Sequence, residues 1–100
     1  KFGQINFFTI SAGQIRGGHY HHTKSEKFVV VHGKAKFRFL NIINNRYREL
    51  IVSDNIKKIV NTIPGWTHDI INIGKKNLIV LVWTNEIYNQ NKPDTIISKI

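Results

Sequence analysis

The stretch GGHYHHTKSEKFVVVHG, residues 17–33, decides how the rest of the chain is read. It sets three histidines close together, then a glutamate heading an apolar run, then a glycine. In a strand, residues i and i+2 share a face, so His19 and His21 project together while His22 points away. Glu26 leads a second strand and shares its face with Phe28 and Val30, which puts a carboxylate among hydrophobic side chains. An ionised carboxylate in such surroundings is costly unless it is paired or binds a cation. His68 follows Pro64 and Gly65, a turn signal just before another strand. Histidine and carboxylate donors from two strand pairs would therefore converge inside a small β structure. Three imidazoles and one carboxylate suit Zn, Mn, Fe or Ni better than Ca or Mg, with zinc the leading expectation. The plainer reading of each histidine is a structural hydrogen-bonding residue, and His22 and His32 are read that way.

Outward from this stretch, apolar and polar residues alternate with period two and helix-length patterns are missing, so the fold class is all-β. Strands are expected at 4–10, 18–22, 27–32, 34–43, 46–53, 57–62, 67–73 and 77–85, a spacing that suits a sandwich or barrel. Ala35, Phe37 and Phe39 face one way and Lys34, Lys36 and Arg38 the other, so one face of that strand is buried. Asn44 and Asn45 fit a tight hairpin, Gly33 a turn or bulge between strands, and Gly74 with Lys75 and Lys76 a second hairpin. Phe7, Phe8, Phe37 and Phe39 are expected in the core, and Trp66 and Trp83 as core or rim packing. The polar tail after Asn85 either packs as a last short element or frays.

Composition narrows the function classes. A chain of 100 residues with no cysteine has neither disulfides nor thiolate metal sites, so a metal here must be held by histidine, carboxylate or backbone oxygen. The formal charge of +9 invites a nucleic-acid partner, but the basic residues are scattered as pairs or alternate along one strand. We expect no nucleic-acid partner; the same positive field suits a small anionic substrate. No apolar run is long enough to span a membrane and no signal peptide opens the chain, so the expectation is a cytoplasmic protein without a membrane partner. With Lys1 first and no methionine anywhere, a fragment of a longer chain is expected, with residues 1–100 forming one domain.

Gly13, His19, His21, Glu26 and Gly33 are spaced as in the first cupin motif. Pro64, Gly65, His68 and Asn72 resemble the second, although its proline and glycine are adjacent here and Lys58 stands where a glycine is usual. The chain therefore resembles a cupin, which implies a jelly-roll barrel, the double-stranded β-helix, with a metal held by His19, His21, Glu26 and His68. The stretches GQINFFTISAG (3–13), RGGHYHHTKSEKF (16–28) and LVWTNEIYNQNKPDT (81–95) are similar to the C-terminal cupin domain of bifunctional capsular-polysaccharide enzymes. That resemblance implies a UDP-linked 2-acetamido-2,6-dideoxy-4-hexulose as substrate and epimerisation at C3. It also implies an N-terminal reductase domain that uses NADPH; no NADP would bind this fragment, which has no Gly-rich dinucleotide loop.

A shorter likeness points the same way. Arg16, Gly17, Gly18, His19 and Tyr20 look like the RGxHY segment of the dTDP-4-keto-6-deoxyglucose 3,5-epimerases. It implies a diphosphate contact for Arg16 and a base role for His19, but His21, Glu26 and His68 favour His19 as a ligand. Lys24, Tyr20 and His22 are then the candidate proton carriers, with Lys24 and Tyr20 carried forward as catalytic. Two other functions stay open: a metal-bound module that only dimerises and positions substrate, and an iron-dependent cupin oxygenase. A homodimer is expected through outward apolar residues such as Val29 and Val31.

Overall fold

The computed structural model describes residues 3–21, 25–56, 58–62, 65–84 and 95–97, with the side chains of all but 18–21 and 95–97. Its strands, in chain order, are β1 (Gln4–Ile10), β2 (Ile15–His21), β3 (Glu26–His32), β4 (Lys34–Asn41), β5 (Tyr47–Ser53), β6 (Ile59–Thr62), β7 (Trp66–Asn72), β8 (Leu78–Thr84) and β9 (Thr95–Ile97). They form two sheets, one in the order β1-β8-β3-β6 and one in the order β5-β4-β7-β2-β9. Every pairing is antiparallel. This is the all-β architecture expected from the period-two pattern, in the two-sheet jelly-roll form that the cupin resemblance implies. Among the described residues no helix is long and apolar enough to cross a membrane.

Alternation supplies the core. Phe28 and Val30 from β3, Val60 from β6, and Val80 and Val82 from β8 face Ala35 and Phe37 from β4, Val52 from β5 and Ile70 from β7, all buried. Phe28 and Phe37 join the sheets with ring centroids 5.6 Å apart. Burying a large apolar side chain contributes roughly 1.5–3 kcal/mol, so this layer carries much of the fold. Phe7 departs from expectation: it is 71% exposed, because the phase of β1 sends Phe8 and Ile10 inward and their neighbours out.

The connections explain which strands meet. The β4–β5 hairpin turns at Asn45, whose φ is 59°, and the Asn41 carboxamide oxygen accepts from the Ile43 amide at 2.9 Å. The turn at Gly74 does not make the hairpin expected there, since β7 and β8 lie in different sheets. Turn residues mark where a chain reverses; they do not choose its pairing partner. Asn72 closes this corner with a buried side chain. Its Nδ2 donates to the carbonyls of Ile10 and Lys76 at 2.8 Å each, and its Oδ1 accepts from the Gly74 amide at 2.9 Å.

Candidate functional site

Glu26 opens β3 beside β6, where its amide donates to Thr62 Oγ1 at 3.1 Å. His68 sits on β7 in the facing sheet. The two side chains meet between the sheets, with His68 Nε2 3.5 Å from Glu26 Oε1 and exposures of only 6% and 15%. The His68 ring lies 5.8 Å from that of Phe28 and 6.5 Å from that of Phe39, centroid to centroid. These apolar walls keep the surroundings low in dielectric, so the carboxylate needs a positive neighbour.

A β-bulge sets the position of β2 at this site. Gly17 pairs with Asp69 and His19 with His68, so two steps along β2 match one along β7. A regular strand with Arg16 opposite Ile70 would bring Gly18 opposite His68; the bulge brings His19 there instead. Bulges of this kind re-aim a strand next to a site. Gly17 allows it with φ of 140°, at a place where a Cβ would stand 2.5 Å from the Asp69 Cα. His21 follows opposite Thr95 of β9, and Tyr20 between them pairs with Ile96. The expected β2 began at Gly18; the strand begins at Ile15, and the bulge lies in the part that was missed.

Of the expected ligands, Glu26 and His68 are brought together by their side chains, and His19 by its backbone register. The side chains of His19, His21 and Tyr20 lie outside the described residues, as do His22 and Lys24 altogether. The donor chemistry fits a divalent transition cation. Two ligands about 2.1 Å from a tetrahedral ion stand about 3.4 Å apart, close to the separation of Glu26 Oε1 and His68 Nε2.

Arg16 lies beside this pair. Its guanidinium carbon is 4.2 Å from the centre of the Phe8 ring, a cation–π contact. It lines a cavity of about 70 Å³ with Glu26, Phe28, His68 and Ile70. On the opposite face of β7, Arg38 holds Asp69 through Nε to Oδ1 at 2.9 Å and Nη2 to Oδ2 at 2.5 Å. That hydrogen bond raises the Arg38 guanidinium above its ordinary value, and the Arg38–Asp69 pair neighbours the Phe39–His68 pair in the β4–β7 ladder. The ion pair thus fixes β7 from behind the site. Sequence reading missed it, because only the register shows that these two residues are opposite. A larger groove of about 560 Å³ opens between the edge strands β5 and β6, lined by Phe39, Arg48, Leu50, Val60, Asn61 and Trp66.

The family described as "Polysaccharide biosynthesis C-terminal domain" matches residues 1–96. The UDP-2-acetamido-2,6-beta-L-arabino-hexul-4-ose reductase of Pseudomonas aeruginosa is 47% identical over 93 residues, covering 93% of this chain and 25% of that protein. The crystal structure of the capsular polysaccharide assembling protein CapF from Staphylococcus aureus superposes with a TM-score of 0.95 at 36% identity, covering 98% of this chain and 29% of that one. The chain thus spans between a quarter and a third of the length of these relatives. The rmlC epimerase of Mycobacterium tuberculosis, at 18% identity, shares the fold with a TM-score of 0.79 over 94% of this chain and 50% of its own. The fold is the cupin double-stranded β-helix.

Proposed function

We propose that this chain, which belongs to the polysaccharide biosynthesis C-terminal domain family, epimerises C3 of a UDP-linked 4-keto-6-deoxy-N-acetylhexosamine in capsular polysaccharide biosynthesis. The observation that carries the proposal is the Glu26–His68 pair, 3.5 Å apart between apolar walls and opposite the register position of His19. The relative from P. aeruginosa supports the substrate class, since its name specifies a UDP-linked hexulose. The reduction in that name is assigned here to a preceding reductase domain that uses NADPH. The cytoplasmic setting expected from the sequence is part of the same proposal.

The chemistry follows from the substrate. The C3 hydrogen is α to the C4 ketone, so when the C3–H bond breaks its electron pair forms the C3–C4 double bond and charge appears on the C4 oxygen. A divalent transition metal, zinc first with Mn, Fe or Ni as alternatives, held by His19, His21, Glu26 and His68, supplies Lewis-acid stabilisation of that charge when bound. Arg16, at the same small cavity, contacts the substrate and adds positive potential. Phe28 and Phe39 keep water from the reacting carbon. Lys24 and Tyr20 are proposed to carry the proton transfers, one removing the C3 proton and the other delivering its own, solvent-exchangeable proton to the opposite face of C3.

The test is incubation of the protein with the 4-keto sugar nucleotide in deuterated water, without NADPH or oxygen. We expect one deuterium at C3 with inverted configuration, read by NMR. Intact binding without exchange would assign the chain to substrate positioning instead. Oxygen consumption once air is admitted, again without exchange, would assign it to the oxygenases.

We also propose that the protein forms a homodimer through the outer face of the β1-β8-β3-β6 sheet. The register lines up Phe7, Leu81, Val29 and Ile59 across all four strands. Phe7, Leu81 and Ile59 are 71%, 40% and 58% exposed, and Val31, at 50%, extends the face. A contiguous apolar row of this kind marks an interaction surface. Leu81→Lys is expected to convert a dimer to a folded monomer in light scattering. A wild-type chain that is monomeric at high concentration would contradict this.

A further inference from the structure

A sugar nucleotide has a sugar ring, two negatively charged phosphates and a flat base, and the cavity at Glu26 and His68, about 70 Å³, is far below the ~300–1,000 Å³ that ligand pockets occupy. The nucleotide therefore extends beyond this cavity. On the β1–β2 side, Arg16 lies over Phe8 and lines that small cavity. On the β5–β6 side, the groove of about 560 Å³ is wide enough. It adjoins the site at Phe39, which lines the groove and whose ring lies 6.5 Å from that of His68.

The groove has the chemistry a nucleotide requires. Arg48 pairs with Phe39 in the β4–β5 ladder, which puts it on the inward face of β5. Among the described residues no hydrogen bond or ion pair engages its guanidinium, so it is available for phosphate oxygens. Half-buried Trp66 presents a flat ring for stacking. Glu49 also borders the groove, but its carboxylate accepts the Tyr47 hydroxyl at 2.9 Å, and both residues alternate with Arg48 along β5. Resting on the epimerase reading above, we propose that the nucleoside diphosphate lies in the β5–β6 groove. Arg48 contacts the diphosphate and Trp66 stacks on the base, which leaves Arg16 to the sugar.

Kinetics of C3 deuterium exchange, with UDP as competitive inhibitor, test this. Arg48→Ala is expected to raise both KM and the UDP inhibition constant by about tenfold or more with kcat within about threefold, the pattern of lost ground-state binding. Trp66→Ala should do likewise, and Arg16→Ala should leave the UDP constant within about twofold. Unchanged constants in Arg48→Ala and Trp66→Ala, or a loss of UDP affinity confined to Arg16→Ala, would overturn the proposal. If the wild-type chain exchanges no deuterium, the epimerase reading fails and calorimetric titration of UDP decides the groove alone. UDP binding that Arg48→Ala removes would support it; no UDP binding to the wild-type chain would overturn it.

Discussion

Gly17→Ala is expected to destabilise the protein by about 3 kcal/mol or more, from an unfavourable positive φ together with overpacking. The added Cβ would stand 2.5 Å from the Asp69 Cα and 2.9 Å from the His68 carbonyl oxygen. Backbone cannot yield as a flexible side-chain end can, so β2 must separate from β7 or lose its bulge. Either change moves His19 off its register with His68, so metal binding should fall along with stability. Gly13→Ala is the control: its φ is 79° and nothing lies within 4 Å of the added carbon. It carries the conformational strain alone, on the order of 1 kcal/mol. Urea midpoints of the two variants measure the difference, and equal midpoints would show that the close approach at Gly17 is not what holds the bulge.

Asn72→Leu is expected to cost at least about 3 kcal/mol, because a buried polar group left without its partner costs about 1–3 kcal/mol. The change leaves the carbonyls of Ile10 and Lys76 and the amide of Gly74 without the carboxamide they share. Asn72 is 1% exposed, so water cannot easily replace it. Its backbone also exchanges hydrogen bonds with the β1–β2 turn, donating to the Gln14 carbonyl at 3.0 Å and accepting from Gly13 at 3.1 Å. One residue thus ties β1, β2 and the start of β8 to β7. Thermal unfolding reads the loss, and an unchanged Tm would contradict it. The asparagine that closes the second cupin-like motif has a structural role here: it holds the strand that carries His68.

The period-two pattern revealed β3, β4, β6 and β8 because each has one buried face; Ala35 and Phe37, both fully buried, show how sharp that signal is. It did not reveal how the strands are distributed between sheets, since antiparallel partners are set by long-range register. That is why Gly74 read as a hairpin turn, and why Arg38 and Asp69 could not be paired in advance. Phe7 and Phe8 are both expected in the core on sequence alone, because adjacent aromatic residues leave the phase of a strand undecided. β9 gave a weak signal, as three residues in a polar tail hold no full period. At the site, Glu26 and His68 were legible because spacing and turn residues bear on them directly. Arg48 was not, because its place beside Phe39 depends on a hairpin register.

The central claim is that β2, β3 and β7 bring four donors together to hold a divalent metal at a sugar-binding site. Elemental analysis of the purified protein and of His68→Ala and His21→Ala tests it most directly, with circular dichroism confirming that each variant is folded. About one zinc, manganese, iron or nickel ion per wild-type chain is expected, with loss of most of it in both variants. A folded His68→Ala or His21→Ala protein that keeps its full metal content would contradict it.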